Sequence, residues 1–418
     1  MFELGEQHRM VAQMVRRWCE ANLVPAVPAL ERGEAQPFEL MRQMARAFGL
    51  DGMARATVTR RIEKLRGKET KGGTEDGAEQ GADPVDDDGG LGGPDPLLGF
   101  VVVKEISRVS PGFAMGWGVS LGLAAGAILS RGSADQIERW ALPLVTMEKI
   151  GSWCLTEPGA GSDAFGSMQT TARPRAGDQG GHVLRGSKTF ITNGPGADLF
   201  VVYARIDRGE PREDQPVAAF MVERGMPGFT VGPAFKKMGM RDSPTSEIFF
   251  DDVELPPEHL LGGRAGGRQD TKQNLASERS AVPAMAWGII ERCYEQSLAY
   301  ARERQQFGRP IGEFQAVQLK LADMFTKLKN VENLVFRTAW MQREKRRDPA
   351  FVNASKAYAA VAAVDVAMTA IQIHGGYGYM EDVGLEKLAR DAKLLELGAG
   401  TTDINLLAAA RAELARGA

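Results

Sequence analysis

The sequence has few of the residues on which several kinds of chemistry depend. Its three cysteines lie far apart at Cys19, Cys154 and Cys293, with no CxxC pair. That spacing argues against a disulfide framework and fits a reducing compartment. The four histidines are scattered, with no HxxH or HxxxH spacing, so no metal site is predicted.

Other signatures are also missing. The sequence has no GxSxG elbow, no Walker lysine motif and no GxGxxG after a strand. Lys and Arg total 51 against 54 acidic residues, a net charge of -3, which argues against nucleic-acid binding. The first twenty residues lack the apolar core of a signal peptide, so we expect a cytoplasmic protein. The apolar run at 113–130 is of borderline length and rich in glycine, which favours a buried helix over a membrane span.

The chain divides into three zones by pattern. Residues 1–150 read mainly as helices. Residues 151–265 contain short β-branched or aromatic runs separated by turn residues, typical of a small antiparallel barrel or sandwich. Residues 266–418 return to long helical patterns, with two helices joined by "RRDPA" as in an antiparallel bundle. We therefore expect an α+β multidomain fold in the order helices, strands, helices.

One segment in the first zone is unusual. Residues 60–96 are dense in Gly, Asp, Glu and Lys and almost free of large apolar side chains. Such a composition cannot bury enough surface to order itself. The sequence therefore predicts a flexible, charged, Gly-rich insert.

Three stretches could carry chemistry. "WCLTEPGAGSDAFG" at 153–166 offers main-chain N–H groups and the hydroxyls of Thr156 and Ser162 to a polar ligand, although a Gly-rich loop is usually only a turn. "YARERQQFGRPIGEFQ" at 300–315 groups arginines at a helix junction, where they could clamp phosphate oxygens. The alternative there is a solvated turn.

The third stretch is "NLASERSAVPAMAWGII" at 274–290. In a helix, Glu278 would share a face with apolar residues, which is unusual for an ionised carboxylate. A structural ion pair, for example through Arg279, is one interpretation. The other is that desolvation raises the pKa of Glu278 and makes it a better proton abstractor.

Taken together, these stretches resemble the acyl-CoA dehydrogenase family over nearly everything outside 60–96. The motifs that carry the resemblance are "WCLTEPGAGSD", "GSKTFITNG", "GMRDSPTSEIFFDDVELP", "RERQQFG" and "IQIHGGYGYMEDVGLEKLARDAKL". The resemblance implies an N-terminal helical domain, a central β-domain and a C-terminal four-helix bundle, assembled as an FAD-binding homotetramer. It also implies α,β-dehydrogenation of an acyl-CoA thioester, with electrons passed to electron-transferring flavoprotein.

The resemblance also implies roles for individual residues. The residues expected to bind FAD are Trp153, Leu155, Thr156, Gly161, Ser162, Phe190, Ile191, Thr192, Arg304, Phe307, Gln315, Gln372, Gly375, Gly376, Thr401 and Asp403. Those from the RERQQFG and IQIHGG motifs would reach the FAD of a neighbouring subunit. The residues expected at the substrate are Ser162, Ser243, Arg279, Ala399 and Gly400.

The sequence departs from the family at the position of its base. Most members have a glutamate directly before the Gly-Thr of the C-terminal segment, and this chain has Ala399 there. The isovaleryl-CoA dehydrogenase branch carries "GAGTS" and places its base on the earlier helix, in "ER". This chain has "GAGTT" and "SERS", so the resemblance implies Glu278 as the base. The small wall at Gly398 and Ala399 suggests a branched short- or medium-chain acyl group.

Two alternatives remain open at this stage. The chain could be an oxygen-using relative, either acyl-CoA oxidase-like or flavin monooxygenase-like. It could also be a non-catalytic partner subunit in a hetero-oligomeric dehydrogenase. In the family pattern a compact stretch near one rim of the substrate site stands where this chain has the 60–96 segment, so the resemblance implies no particular acyl chain length.

Overall fold

The structure, a computed structural model, describes residues 3–69, 95–175, 180–263 and 268–416, with the main chain only at 68–69 and 268–277.

The N-terminal region is helical. Its elements are α1 Glu6–Trp18, α2 Val24–Glu31, α3 Phe38–Ala47, α4 Leu50–Glu69, α5 Pro96–Ser107, α6 Pro111–Gly118, α7 Ala125–Arg131, α8 Ala134–Gln136 and α9 Leu142–Val145, with π-helical turns at Cys19–Leu23, Val119–Ala124 and Ile137–Ala141.

The first ten residues of the predicted insert are part of a helix, so that part of the prediction was wrong. In α4, Ile62 is buried and Leu65 packs against the same apolar cluster. The Arg66 guanidinium donates to Asp135 at 2.8 Å and to Glu138 at 2.7 Å. The packing of Ile62 and Leu65 supplies the burial that the composition of the segment alone did not indicate, and Arg66 adds ion pairs at the surface. Residues 70–94 lie outside the described residues.

The apolar stretch Pro111–Arg131 is long and hydrophobic enough to cross a membrane, and so is Pro349–His374. The windows concerned are 67% and 56% buried inside the protein. Packing within the fold therefore accounts for their hydrophobicity, as the sequence predicted for the first of them.

The middle region is a seven-stranded sheet. Its strands are β1 Gly151–Cys154, β2 Thr171–Pro174, β3 His182–Thr192, β4 Leu199–Ile206, β5 Val217–Glu223, β6 Phe229–Val231 and β7 Thr245–Leu255. The order is β1-β4-β2-β3-β7-β6, and β5 pairs with β4. The sheet differs from the antiparallel prediction in one respect, because β1 and β2 both pair with β4 in parallel.

The C-terminal region is again helical. It consists of α10 Arg268–Glu303, α11 Gln315–Arg343, α12 Pro349–His374, α13 Gly376–Tyr379, α14 Leu385–Leu395 and α15 Thr402–Arg416, with a small hairpin formed by β8 Gln305–Gln306 and β9 Arg309–Pro310. The helix α12 contacts α10, α11 and α15, and α10 also contacts α11. The predicted succession of helices, strands and a helical bundle is confirmed.

One buried lysine connects the three regions. The Lys387 ammonium on α14 lies 2.5 Å from Asp391, 3.1 Å from Asp242 in the segment before β7, and 3.6 Å from Glu31 on α2. The three carboxylates are close enough together to hold a metal ion, but Lys387 already contacts all of them. These contacts raise the pKa of Lys387 far above its usual range, so it stays charged.

We expect Lys387→Met to destabilise the protein strongly. Removing one partner of a buried ion cluster leaves charges without compensation and costs about 3–5 kcal/mol. Thermal unfolding followed by circular dichroism measures the effect. Lys393→Met, on the same helix but with a half-exposed side chain paired to Glu396, is the control and should change stability by no more than about 1 kcal/mol. Equal melting temperatures for the two variants would contradict the role of Lys387.

Candidate active site

The loop after β1 is held by a buried ion pair. Lys188 on β3 donates to the Leu155 carbonyl at 3.0 Å and to Glu157 at 2.8 Å. Glu157 also accepts the Thr170 main-chain N–H at 3.0 Å. Burial would raise the pKa of Glu157, but Lys188 and these N–H donors lower it overall. The pair therefore fixes the main chain of the segment that contains Trp153, Leu155 and Thr156.

The end of β3 presents an aromatic side chain to the outside. Phe190 has φ 58 and is 68% exposed, an uncommon combination for a large apolar residue in a strand. Main-chain hydrogen bonding from Thr189 to the Thr156 carbonyl, at 2.9 Å, joins this strand to the loop after β1. Ser152 donates to the Thr192 carbonyl at 2.8 Å. The predicted flavin residues on β1 and β3 are thus neighbours.

The remaining residues of this group have different surroundings. Gly161 and Ser162 are exposed in the turn after β1, and a side chain at Gly161 would meet open space. Ser243 is buried, and its carbonyl accepts a hydrogen bond from Lys237. Burial lowers the pKa of Lys237 to about 8.

A second set of predicted residues lines an open pocket of about 500 Å³ between the ends of α10 and α12. Arg304, Gly375 and Gly376 lie in its wall with Tyr300 and His374, whose rings stack at 4.3 Å. Side chains at Gly375 and Gly376 would meet open space. Phe307, Gln315 and Gln372 are exposed and are not part of this wall.

The third set surrounds the turn between α14 and α15. Ala399 and Gly400 have φ 56 and φ 87. The Ala399 carbonyl accepts a hydrogen bond from Arg279 Nε at 3.0 Å, and the Gly400 carbonyl accepts one from Lys356 Nζ at 2.6 Å. Glu278 directly precedes Arg279 on α10, and the charges of Arg279 and Lys356, the two cations that hold this turn, both act on Glu278.

The environment of Glu278 sets its proton affinity near neutrality. Burial raises its pKa to about 7, while the positive charges of Arg279 and Lys356 act in the opposite direction. Glu278 is half-buried. A carboxylate with such a pKa is partly ionised at neutral pH and still holds a proton tightly, which suits a general base.

Thr401 and Asp403 lie at the start of α15. The Thr401 hydroxyl accepts the Ile404 main-chain N–H at 3.3 Å, and Asp403 is exposed in the first turn of the helix. A helix N-terminus is a favourable place for phosphate oxygens.

These residues fit FAD. Trp153 and the exposed Phe190 offer flat apolar surface to a ring system, and Thr156 and Thr192 offer hydroxyls. Gly375 and Gly376 leave space beside Arg304, whose guanidinium suits a pyrophosphate. The residues of β1 and β3 therefore offer surface for the ring, and the pocket at Arg304, which the resemblance assigns to the FAD of a neighbouring subunit, offers charge for the phosphates.

Some residues of the site were missed in the sequence. Lys356 is completely buried on α12, and Asn405 donates to the Gly400 carbonyl at 2.7 Å. Lys356 had a detectable signal, because it is a lone lysine in the Ala- and Val-rich segment "NASKAYAAVAAVDVAM". Asn405 had none, since its role depends on the turn before α15.

Comparison with known proteins identifies the family of this chain. Three family models match: the acyl-CoA dehydrogenase N-terminal domain at 81–148, the middle domain at 152–253 and the C-terminal domain at 265–414. An acyl-CoA dehydrogenase of Bacillus subtilis (strain 168) is 34% identical over 96% of both chains. A mitochondrial isovaleryl-CoA dehydrogenase of Arabidopsis thaliana is 37% identical over 77% of both.

Solved structures give the same result. The butyryl-CoA dehydrogenase of Megasphaera elsdenii has a TM-score of 0.83 and 31% identity, covering 99% of this chain and 100% of that one. The expectation of FAD as cofactor is confirmed. The chain therefore belongs to the acyl-CoA dehydrogenase family and is an FAD-dependent oxidoreductase.

Proposed function

We propose that this enzyme dehydrogenates a branched short- or medium-chain acyl-CoA at its α,β bond, with Glu278 as the base that removes the α-proton. The observation that carries the proposal is the link between α10 and the turn after α14. Arg279, which directly follows Glu278, joins α10 to the Ala399 carbonyl, and position 399 is where the family resemblance puts the base of most members.

The reaction removes a proton from the α-carbon and a hydride from the β-carbon of the thioester. The Glu278 carboxylate accepts the proton, and its raised pKa helps it to retain that proton. When bound, FAD supplies the hydride acceptor. Arg279 holds the wall at Ala399, where main-chain N–H groups could polarise the thioester carbonyl.

The proposed substrate class depends on the size of this wall. Gly398, Ala399 and Gly400 place little side-chain volume there, which leaves room for a branch on the acyl chain. The relative from Arabidopsis thaliana is named for isovaleryl-CoA, and another, from Solanum tuberosum, for 2-methylacyl-CoA at 37% identity over 75% of both chains. Both names support a branched substrate.

We expect Glu278→Gln to abolish rapid flavin reduction. Glutamine has nearly the same shape but cannot accept the α-proton, so the rate should fall at least about 100-fold. Anaerobic bleaching of the flavin absorbance, screened over straight and branched acyl-CoAs, measures this and identifies the substrate. Glu386→Gln, a carboxylate on α14 paired with Arg390, is the matched control and should retain the normal rate.

A second substitution tests whether the base has moved. Ala399→Glu in the Glu278→Gln background returns a carboxylate to the position used by most of the family, and we expect part of the rate to return. Ala399 already carries a Cβ at φ 56, so glutamate adds no new backbone strain. A normal rate in Glu278→Gln alone would refute Glu278 as the base. Slow bleaching by every acyl-CoA in the unmutated protein would favour a non-catalytic subunit.

The rate of flavin reduction should rise with pH through about 7 and then level off. Glu278 can accept the α-proton only when ionised, and burial holds its pKa at about 7 rather than near its ordinary value. Stopped-flow reduction at saturating substrate, from about pH 5.5 to pH 9, measures the profile. A rate already constant from about pH 5.5 upward would contradict a base in this environment.

We also propose a homotetramer that passes electrons to electron-transferring flavoprotein. Exposed apolar side chains on three helices of the bundle would cover one another in an oligomer: Leu319, Phe325, Val361, Met368, Leu406 and Leu414. Light scattering should give about four times the 45.3 kDa of the chain. Rapid reoxidation of the reduced flavin by air, without that acceptor, would favour an oxidase or monooxygenase instead.

Arg304→Ala should weaken FAD binding without changing the mass of the oligomer. Losing a charge-assisted contact to phosphate costs about 1.5–3 kcal/mol, roughly a tenfold or greater loss in affinity. The ratio of flavin to protein absorbance after dialysis measures retention. Arg302→Ala is the control, since Arg302 is exposed on the same helical turn and does not line the pocket. Equal flavin loss in both variants would contradict a specific contact.

A further inference from the structure

Three helices send donors to two consecutive carbonyls in the turn after α14. Arg279 from α10 reaches Ala399, while Lys356 from α12 and Asn405 from α15 both reach Gly400, at 2.6 and 2.7 Å. Both residues of the turn have positive φ, which is costly for Ala399 because it carries a Cβ. The donors therefore stabilise a strained main chain at the wall of the proposed substrate site.

Lys356 is an unusual member of this set. Its side chain is completely buried, and its hydrogen bond goes to a main-chain carbonyl rather than to a carboxylate. A buried ammonium is costly unless the charge itself has a use or a partner. Asn405 already supplies an uncharged donor to the same carbonyl, so holding the turn does not by itself explain a cation at this position.

We propose that Lys356 is a positioning residue for the reaction, whose ammonium both fixes the Gly400 carbonyl and favours the ionised form of Glu278. This inference rests on the proposed role of Glu278 as the base. The charge of Lys356 acts on Glu278 from α12 to α10, whereas its hydrogen bond to the Gly400 carbonyl holds the turn after α14.

The charged groups that act on Lys356 and Glu278 belong to α10 and to the end of α14. On α10 they are Glu278 and Arg279, and at the end of α14 Glu396 also acts on Lys356. From α15, Asn405 contributes a neutral amide. Burial and the neighbouring Arg279 lower the pKa of Lys356 to about 8, so Lys356 is mostly charged at the pH near which Glu278 is half-ionised.

The test is the pH dependence of flavin reduction in Lys356→Met, which keeps an unbranched stem but no charge. Without the cation, Glu278 should hold its proton more tightly. We expect the rising limb of the profile to move to higher pH by about one unit. The rate at pH 7 should then fall several-fold and recover substantially near pH 9. Lys356→Arg keeps the charge and should return the limb close to its original position.

Asn405→Ala is the matched control, because it removes an uncharged donor from the same carbonyl. It should lower the rate or raise KM at every pH without moving the limb. Lys356→Gln, which keeps a donor but no charge, takes the place of the methionine variant if that variant does not fold. Difference infrared spectra of each protein against the same protein with Glu278→Gln, from about pH 5 to pH 9, measure the protonation of Glu278 without turnover.

The outcomes separate this inference from the proposed function. The electrostatic role of Lys356 would be refuted if Lys356→Met and Lys356→Gln both left the rising limb of the pH–rate profile and the infrared titration of Glu278 unchanged. This holds even if Glu278→Gln is inactive. An equal displacement of the limb in Asn405→Ala would show that the turn, and not the charge, is responsible. A fully active Glu278→Gln enzyme would instead overturn the proposed base.

Discussion

The three regions of this protein meet around one buried ammonium group, that of Lys387. Lys387 is neutralised by carboxylates from α2, from the segment before β7 and from its own helix, so each region supplies part of one charge balance. The residues around it are closely packed, since a side chain at Gly239 would meet the Arg390 carbonyl carbon at 2.4 Å and its oxygen at 2.3 Å. Two of the predicted substrate residues are connected to this cluster through the chain, because Ser243 follows Asp242 directly and α14 leads into the turn at Ala399.

The same electrostatic rule gives the buried Glu157 and the half-buried Glu278 opposite properties. Glu157 lies 2.8 Å from Lys188 and accepts main-chain N–H groups, so its pKa is lowered in spite of burial and it remains an ionised structural partner. Burial raises the pKa of Glu278 to about 7, because its effect is larger than the opposing effect of the positive charges of Arg279 and Lys356. A hydrogen bond from a cation favours the ionised form of a carboxylate, whereas burial without such a bond favours the protonated form. This difference separates the residue that holds the loop after β1 from the one proposed to do chemistry.

Much of the fold could be predicted because its signals are local. The alternating apolar runs of the middle region, the helical spacing of the bundle and the ordered motifs from "TEPGAGSD" to "RDAKL" can be read from neighbouring residues. The failures concern contacts between distant parts of the chain. Residues 60–69 are helical because Arg66 and Ile62 find partners on other helices, and composition carries no information about those partners. The parallel pairing of β1 and β2 with β4 was missed for the same reason. In the site, Glu278 could be recognised in the sequence because it lies in an apolar stripe. Asn405 could not, because its contact with the Gly400 carbonyl exists only in the folded turn.

The turn after α14 also explains how a base could change position without loss of the site. Its shape depends on main-chain carbonyls held by Arg279, Lys356 and Asn405, and not on the side chain at position 399. A carboxylate side chain at position 399 would therefore add a functional group to the turn without being needed for the conformation of the turn. An alanine at position 399 therefore leaves the main-chain hydrogen bonds of the turn intact. The proton acceptor then needs only to approach the acyl chain from another element. The helix α10 is suited to this because Arg279 already fixes it to the turn, and the neighbouring residue is a carboxylate whose proton affinity burial has adjusted.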